Sequence, residues 1–198
     1  SRAAGFISGS AARSIKGGFV RWRSGNTRDE SYAEQLYDEN YWDLRDIITV
    51  VSPDKKKVSS REGMALSKEN CPIYNDFVRG GFANTAEVVK GLADKDFRRV
   101  GEALELDSFM LHSAMMTTKP PLLYWSPATI TIMKEVISWR DEGLLAYSTV
   151  DAGPNVHIIT TAENAAEVEK RAKEIAGVNG IISCGPGGGP LITNKHLF

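Results

Sequence analysis

The middle of the chain combines a short β-branched apolar run with long stretches of apolar residues at helical spacing. Residues 47–51 (IITVV) are bounded by charged residues and a proline, which predicts a buried strand. Residues 72–116 carry apolar positions at helical spacing with an interruption near 94–96, and so predict two consecutive helices. Ser126 followed by Pro127 predicts another helix, which reaches about residue 142 and is closed by Gly143. The middle of the chain is therefore predicted to be a helical layer.

The two ends of the chain have a different pattern. Residues 8–14 (SGSAARS) predict a short helix stopped by Gly17-Gly18, and residues 19–22 predict a strand before a polar loop at 23–30. The last part of the chain predicts a helix at 163–176 and strands at 144–150, 156–160, 180–183 and 191–193. This mixture predicts an α+β fold with helices on one face of an antiparallel sheet.

Composition is that of a soluble globular protein, with 42% hydrophobic and 25% charged residues among 198. The net charge of −1 provides no general attraction to nucleic acid or to an anionic membrane, so neither is an expected partner. No segment resembles a signal peptide or approaches the roughly 18 apolar residues of a membrane span. Cys71 and Cys184 form neither a disulfide framework nor a zinc motif, which indicates reduced thiols in a cytoplasmic protein. Since the sequence begins at Ser1 without a methionine, we expect it to be one piece of a longer protein.

Three polar clusters have residue types suited to an anionic ligand or to proton transfer. The first is the predicted helix start with Ser8, Gly9, Ser10 and Arg13, where hydroxyls and a guanidinium fork suit a carboxylate or a phosphate. The second is Ser60-Arg61, which follows three lysines on a loop entering a helix and suits a phosphate or diphosphate. Each cluster also has an ordinary interpretation, as a capped helix with a solvated arginine or as a solvated charge run.

The third cluster is the Asp151-Ala-Gly-Pro-Asn turn between two predicted strands. An aspartate where a buried strand ends is held near the rim of the sheet, where a carboxylate can accept a proton or orient a hydroxyl. The alternative is a plain turn, because Asp, Gly and Pro are common turn residues.

Other candidate chemistry is weaker. The glycine-rich segment 185–190 lacks the Lys-Ser/Thr ending of a phosphate-binding loop and the spacing of a dinucleotide fingerprint. His112 lies between methionines in a predicted helix and is interpreted as a packed residue. The three histidines have no carboxylate at metal-ligand spacing, so no protein-built metal site is expected.

Taken in order, several motifs resemble the mevalonate diphosphate decarboxylases of the GHMP kinase superfamily. They are SGSAARSIKGGFVRW, LRDIITVVSPDKKKVSSREGM, the Pro-Pro-x-x-Tyr stretch at 120–124, AYSTVDAGPNV and the terminal Gly-Pro-Gly-rich segment. The resemblance implies a GHMP-kinase-like fold, with the end of a ribosomal-protein-S5-like domain at 1–58 and a ferredoxin-like C-terminal domain at 59–198. It also implies that the ATP-binding loop lies upstream of this sequence, so this chain alone is expected to be inactive.

The resemblance implies the ATP-dependent decarboxylation of 5-diphosphomevalonate to isopentenyl diphosphate, with Mg²⁺ carried by ATP. Asp151 matches the family's catalytic aspartate, and Arg13 matches the arginine that holds the substrate carboxylate. Ser8, Gly9 and Ser10 match the lining of the substrate region. Ser60 and Arg61 match the positions that hold the substrate's diphosphate. Family members are often homodimers, so a homodimer is expected.

Alternatives within this resemblance are a decarboxylase of mevalonate 5-phosphate or of a mevalonate bisphosphate, and a mevalonate 3-kinase. The presence of both Asp151 and Arg13 argues against a pure kinase, and Arg61 favours a diphosphate. A non-catalytic module that binds a metabolite or forms a dimer is the alternative from another class. The enzyme hypothesis predicts that Arg13, Arg61 and Asp151 line one cleft.

Overall fold

A computed structural model describes residues 9–25, 27, 29–52, 58–191 and 193. The chain divides into two compact units, the first formed by residues 1–43 and 185–198 and the second by residues 44–184.

The first unit contains a short helix and an antiparallel hairpin. Helix α1 (Gly9–Ser14) precedes strands β1 (Phe19–Arg23) and β2 (Tyr32–Tyr37). Gly17 and Gly18, with φ of 69° and 63°, end the helical segment in a conformation that side chains disfavour. The predicted helix is confirmed over its described residues, and so is the first strand. Strand β2 was not predicted.

The described residues of the second unit form a four-stranded antiparallel sheet and five helices. Its elements are, in chain order, β3 (Leu44–Val50), α2 (Ser60–Asn70), α3 (Tyr74–Asp94), α4 (Phe97–Thr117), α5 (Pro127–Asp141), β4 (Ala146–Thr149), β5 (Val156–Thr161), α6 (Ala162–Glu174) and β6 (Gly180–Cys184). The strand order is β4-β5-β3-β6. The α+β class with an antiparallel sheet is confirmed.

Strand β3 is an inner strand of this sheet and pairs with both β5 and β6. The compact units therefore divide the chain before β3 and after β6, whereas the sequence interpretation divided it between residues 58 and 59. Residues 185–191, assigned from the sequence to the C-terminal domain, lie in the first unit.

Alternation along the strands builds the core of the second unit. Ile47, Val156 and Ile158 are fully buried and form one cluster with Val136 of α5 and Val168 of α6. Burying side chains of this size contributes about 1.5–3 kcal/mol each. The sheet and the two helices are thus fixed against each other, which makes the strand ends rigid supports.

The helix boundaries are set by capping residues, of which Ser126 was predicted. Ser126 and Thr129 form a capping box at the start of α5, and Asp96 caps α4 by accepting from the Arg99 amide. Lys95, in the left-handed conformation, ends α3 where the interruption was predicted. The predicted strand at 191–193 is wrong for its described residues, because Leu191 is 91% exposed and has no neighbouring strand.

Candidate active site

The turn that carries Asp151 is anchored at the residue before it. Val150 is buried, and its amide donates to Ser108 Oγ at 2.9 Å, while the Ser108 hydroxyl lies 3.2 Å from the Val150 carbonyl oxygen. His112 Nε2 lies 3.1 Å from that same oxygen. Both polar residues come from α4, one helical turn apart, so this helix fixes the end of β4. The interpretation of His112 as a packed residue is confirmed, since it is only 1% exposed.

The far end of the turn is anchored equally well. Asn155 Oδ1 accepts from the amides of Val51, at 2.9 Å, and Ser52, at 3.4 Å, just after β3. Thr129 Oγ1 donates to the Pro154 carbonyl at 2.6 Å, which ties the turn to the start of α5. Contacts with α4, with the segment after β3 and with α5 therefore hold the turn at both ends.

Asp151 itself is exposed, and its carboxylate has no hydrogen bond or ion pair with any described residue. Asp151 lies, as predicted, where a buried strand ends. A positioned carboxylate with free lone pairs can accept a proton or orient a hydroxyl.

Tyr124 connects this turn with helix α2. Gly153 has a φ of 75°, and a Cβ built on it would lie 2.9 Å from the Tyr124 carbonyl oxygen. On the α2 side, a Cβ built on Gly63 would overlap the Tyr124 hydroxyl. Two glycines thus allow the Asp151 turn and α2 to pack closely against one residue.

Helix α2 begins with the predicted diphosphate-binding residues. Ser59 caps it by accepting from the Glu62 amide at 3.2 Å, which leaves Ser60 and Arg61 in the first turn, where both are exposed. Arg61 has no ion pair among the described residues. A buried hydrogen bond of 2.9 Å between Ser67 and Thr118 fixes the helix at its other end.

Arg13 lies in the first unit, at an open cleft of about 440 Å³. The cleft is lined by Arg13, Ser14, Gly17, Gly18, Val20, Gly187 and Gly188. The guanidinium of Arg13 is exposed and has no acidic partner among the described residues. Ser10 lies one turn before Ser14, whose hydroxyl donates to the Ser10 carbonyl at 3.0 Å, and Gly9 is the first residue of α1. Ser8 lies outside the described residues.

His157 on β5 is the titratable group whose protonation is coupled to the Asp151 turn. Its Nδ1 lies 2.9 Å from Asp46 Oδ2. The hydrogen bond with Asp46 raises the pKa of His157, and the charges of Asp46 and Asp151 raise it further, against the opposing effect of burial. Protonation of the imidazole is therefore more favourable here than in a free histidine, in part through the charge of the Asp151 carboxylate.

Sequence reasoning missed the residues that hold the Asp151 turn. Ser108 and His112 are polar residues four apart on a helix that buries them together with Glu105 and several apolar side chains. That spacing is a usable signal, because buried polar side chains need partners. Thr129 lies in the first turn of the helix predicted from Ser126-Pro127. Its hydrogen bond to the Pro154 carbonyl depends on tertiary contact.

Over the part of the chain that the structure describes, no three His, Cys, Asp or Glu side chains are grouped to hold a metal ion. Cys71 and Cys184 are free thiols. None of the described helices is both long and apolar enough to cross a membrane.

Comparison with known proteins identifies the relatives of this chain. The family model described as the mevalonate 5-diphosphate decarboxylase C-terminal domain matches residues 46–181. The diphosphomevalonate decarboxylase of Danio rerio is 38% identical over 160 residues, which cover 76% of this chain and 39% of that protein. The Candida albicans diphosphomevalonate decarboxylase is 30% identical and covers 96% of this chain and 58% of that protein.

Solved structures agree with the sequence relatives. Mevalonate diphosphate decarboxylase from Staphylococcus aureus matches with a TM-score of 0.88 at 33% identity, over 95% of this chain and 57% of that one. A complex of MDDEF with MVAPP, AMPPCP and magnesium matches with a TM-score of 0.87 at 30% identity, over 95% of this chain and 58% of that one. The chain spans about half the length of such relatives. Since the family model covers well over half of its 198 residues, the chain belongs to the mevalonate 5-diphosphate decarboxylase family.

Proposed function

We propose that the protein containing this chain catalyses the ATP-dependent decarboxylation of 5-diphosphomevalonate to isopentenyl diphosphate, ADP, phosphate and carbon dioxide. One observation carries the proposal from the structure. The turn that presents Asp151 and the helix that begins with Ser60-Arg61 pack against the same residue, Tyr124. An exposed carboxylate and an exposed guanidinium, neither ion-paired with any described residue, thus come from two elements of one compact unit that pack against the same residue, which suits a substrate with a hydroxyl and a diphosphate.

The proposed reaction has two stages. The oxygen of the substrate's tertiary 3-hydroxyl attacks the γ-phosphorus of ATP, ADP leaves, and Asp151 accepts the hydroxyl proton. The bond between the tertiary carbon and its phosphorylated oxygen then breaks, and inorganic phosphate departs with the bonding electrons. The bond to the carboxylate carbon breaks as carbon dioxide leaves, and its electron pair forms the carbon–carbon double bond.

The roles assigned to the arginines follow from their chemistry. The planar fork of Arg13 suits the substrate carboxylate, and Ser60 with Arg61 suits the diphosphate. Ser8, Gly9 and Ser10 complete the proposed substrate lining beside Arg13. We propose that these groups and Asp151 act on the same substrate. Catalysis then comes mainly from positioning and from charge stabilisation, because the chemistry moves charge among phosphates and a carboxylate.

ATP and Mg²⁺ enter the proposal through the relative solved with AMPPCP and magnesium. The described residues of this chain contain no carboxylate cluster suited to the ion. We therefore assign Mg²⁺ to the phosphates of ATP and give it no ligand from the described residues. A cytoplasmic location and a homodimeric assembly complete the proposed function.

The substrate assignment is tested by supplying ATP with each phosphorylated mevalonate in turn and following carbon dioxide release. The complete protein containing this chain is expected to release carbon dioxide from 5-diphosphomevalonate at the highest kcat/KM. Release from the monophosphate alone would overturn the assignment. ADP formation without carbon dioxide would indicate a 3-kinase, and no reaction with any of them would favour a non-catalytic module.

The role of Asp151 is tested with Asp151→Asn, which keeps the shape of the side chain but removes its basic oxygen. The expected result is loss of kcat by a factor of at least about 100, with substrate affinity close to that of the wild type. Asp141→Asn is the matched control, because Asp141 is an exposed acid at the end of α5. Equal turnover in the two variants would remove Asp151 from the mechanism.

A further inference from the structure

The glycine-rich segment 185–189 packs onto the turn that follows Arg13. The Gly18 amide donates to the Gly187 carbonyl at 2.7 Å. A Cβ built on Gly17 would lie 2.6 Å from the carbonyl carbon of Gly188, so the two backbones touch with no side chain between them. Only glycine permits an approach of this kind, and the positive φ of Gly17 adds to that requirement.

The same turn is braced from the opposite strand of the hairpin. Gln35 on β2 donates from Nε2 to the carbonyls of Lys16, at 2.9 Å, and Gly17, at 3.1 Å. A Cβ built on Gly189 would lie 3.0 Å from the Ile15 carbonyl oxygen. Segment 185–189 therefore rests on a turn that is itself held in place.

Gly187 and Gly188 line the cleft that Arg13 borders. Their surroundings differ, because a Cβ built on Gly188 would lie 3.2 Å from Glu39 Oε1, whereas a Cβ on Gly187 meets no atom within 4 Å. Gly187 thus borders open space and lines the same cleft as Arg13, which has no acidic partner among the described residues. A side chain at this position would occupy room that a ligand of Arg13 can use.

We propose that segment 185–189 forms a wall of the Arg13 cleft and that Gly187 sets the space available to the carboxylate-bearing end of the substrate. This inference rests on the proposed function of Arg13 as the group that binds that carboxylate. The glycines at 17, 18 and 189 hold the wall, and the glycine at 187 keeps it free of side-chain atoms.

The test is a size series at Gly187 in the complete protein containing this chain. Gly187→Leu is expected to raise the KM for 5-diphosphomevalonate about tenfold or more, the effect of a bulky side chain in an occupied site. Gly187→Ala is expected to give a smaller rise. The KM for ATP and the thermal unfolding midpoint stay close to wild type in the alanine variant, because its Cβ meets no protein atom.

Wild-type KM and kcat in both Gly187 variants would overturn the proposal that segment 185–189 limits the space in the cleft. If the leucine variant unfolds at a lower temperature, the alanine variant decides, and a wild-type KM there also overturns the proposal. Arg13→Gln separates this failure from failure of the proposed function. If Arg13→Gln loses activity while the Gly187 variants have normal kinetics, only the proposal for segment 185–189 is rejected. Normal kinetics in Arg13→Gln would instead reject the function assigned to Arg13.

The contact between Gly17 and segment 185–189 is tested with Gly17→Ala. It is expected to lower the unfolding midpoint and to raise the KM for 5-diphosphomevalonate, since the new Cβ displaces the Gly188–Gly189 backbone. Gly143→Ala is the matched control, because Gly143 also has a positive φ, of 90°, but has nothing within 4 Å of an added Cβ. An equal change of KM in the two variants would show that the contact with segment 185–189 does not shape the cleft.

Discussion

Removing one buried hydroxyl, in Ser108→Ala, should loosen the turn that presents Asp151. The Ser108 hydroxyl bonds both backbone groups of Val150, the residue directly before Asp151. Val150 is 1% exposed, so water cannot replace the lost partner. Its carbonyl keeps the contact with His112, whereas its amide loses the acceptor Ser108 Oγ.

The cost follows from that unsatisfied amide. A buried donor without a partner costs about 1–3 kcal/mol, and the serine-to-alanine change within a helix returns up to about 0.5 kcal/mol through better helix propensity. Ser113→Ala is the matched control on the same helix. The Ser113 hydroxyl donates only to the Phe109 carbonyl, four residues earlier, so its removal leaves no buried amide unpaired. The gain in helix propensity is common to both variants. The free energy of unfolding of Ser108→Ala should therefore be lower than that of Ser113→Ala by about 1–3 kcal/mol.

This difference is measured by urea unfolding of the complete protein, monitored with a spectroscopic signal from the second unit. Steady-state kinetics provide the second measurement. A shift of about 1 Å in a catalytic group can cost about a hundredfold in rate, so kcat should fall in Ser108→Ala while the KM for ATP changes little. If the two serine variants match in unfolding midpoint and in kcat, then α4 does not position Asp151 and the reasoning is refuted.

Three further predictions concern other parts of the second unit. Glu105→Gln should lower the free energy of unfolding by about 3 kcal/mol in urea denaturation, because the Arg140 side chain, only 18% exposed, then loses its charged partner, now bonded at 2.7 Å. His157→Gln should destabilise most below pH 6.5, the ordinary pKa of the side chain, since the hydrogen bond with Asp46 raises the folded-state pKa. That stabilisation is lost as the pH rises through the folded pKa, so unfolding midpoints measured across this range should converge at alkaline pH. Asp96→Ala should cost about 1 kcal/mol by removing the N-cap of α4, measurable as a lower thermal midpoint.

Sequence patterning determined most of the elements, because hydrophobic periodicity and capping residues act locally. The break between α3 and α4, the Ser126 start of α5 and the central strand β3 all lie where the pattern placed them. Strand β2 escaped prediction because its residues, YAEQLY, mix polar and apolar positions without a clear alternation. Its strand conformation depends on pairing with β1.

The family motifs likewise identified the candidate residues from sequence alone. Residue type and order were sufficient to propose Arg13, Arg61 and Asp151. Their support could not be read in the same way. Ser108 lies far from Val150 along the chain, and Gly187 lies far from Gly18. Contacts between distant residues depend on how the elements pack.

The sequence by itself therefore determined which side chains offer chemistry and which segments become helices or strands. The tertiary structure decided what holds those side chains. It sets the Asp151 turn on α4 and α5 and places a wall of glycine backbone beside Arg13. The physical reason is that buried hydrogen bonds and backbone contacts join groups remote in sequence, and neither leaves a periodic pattern in the chain.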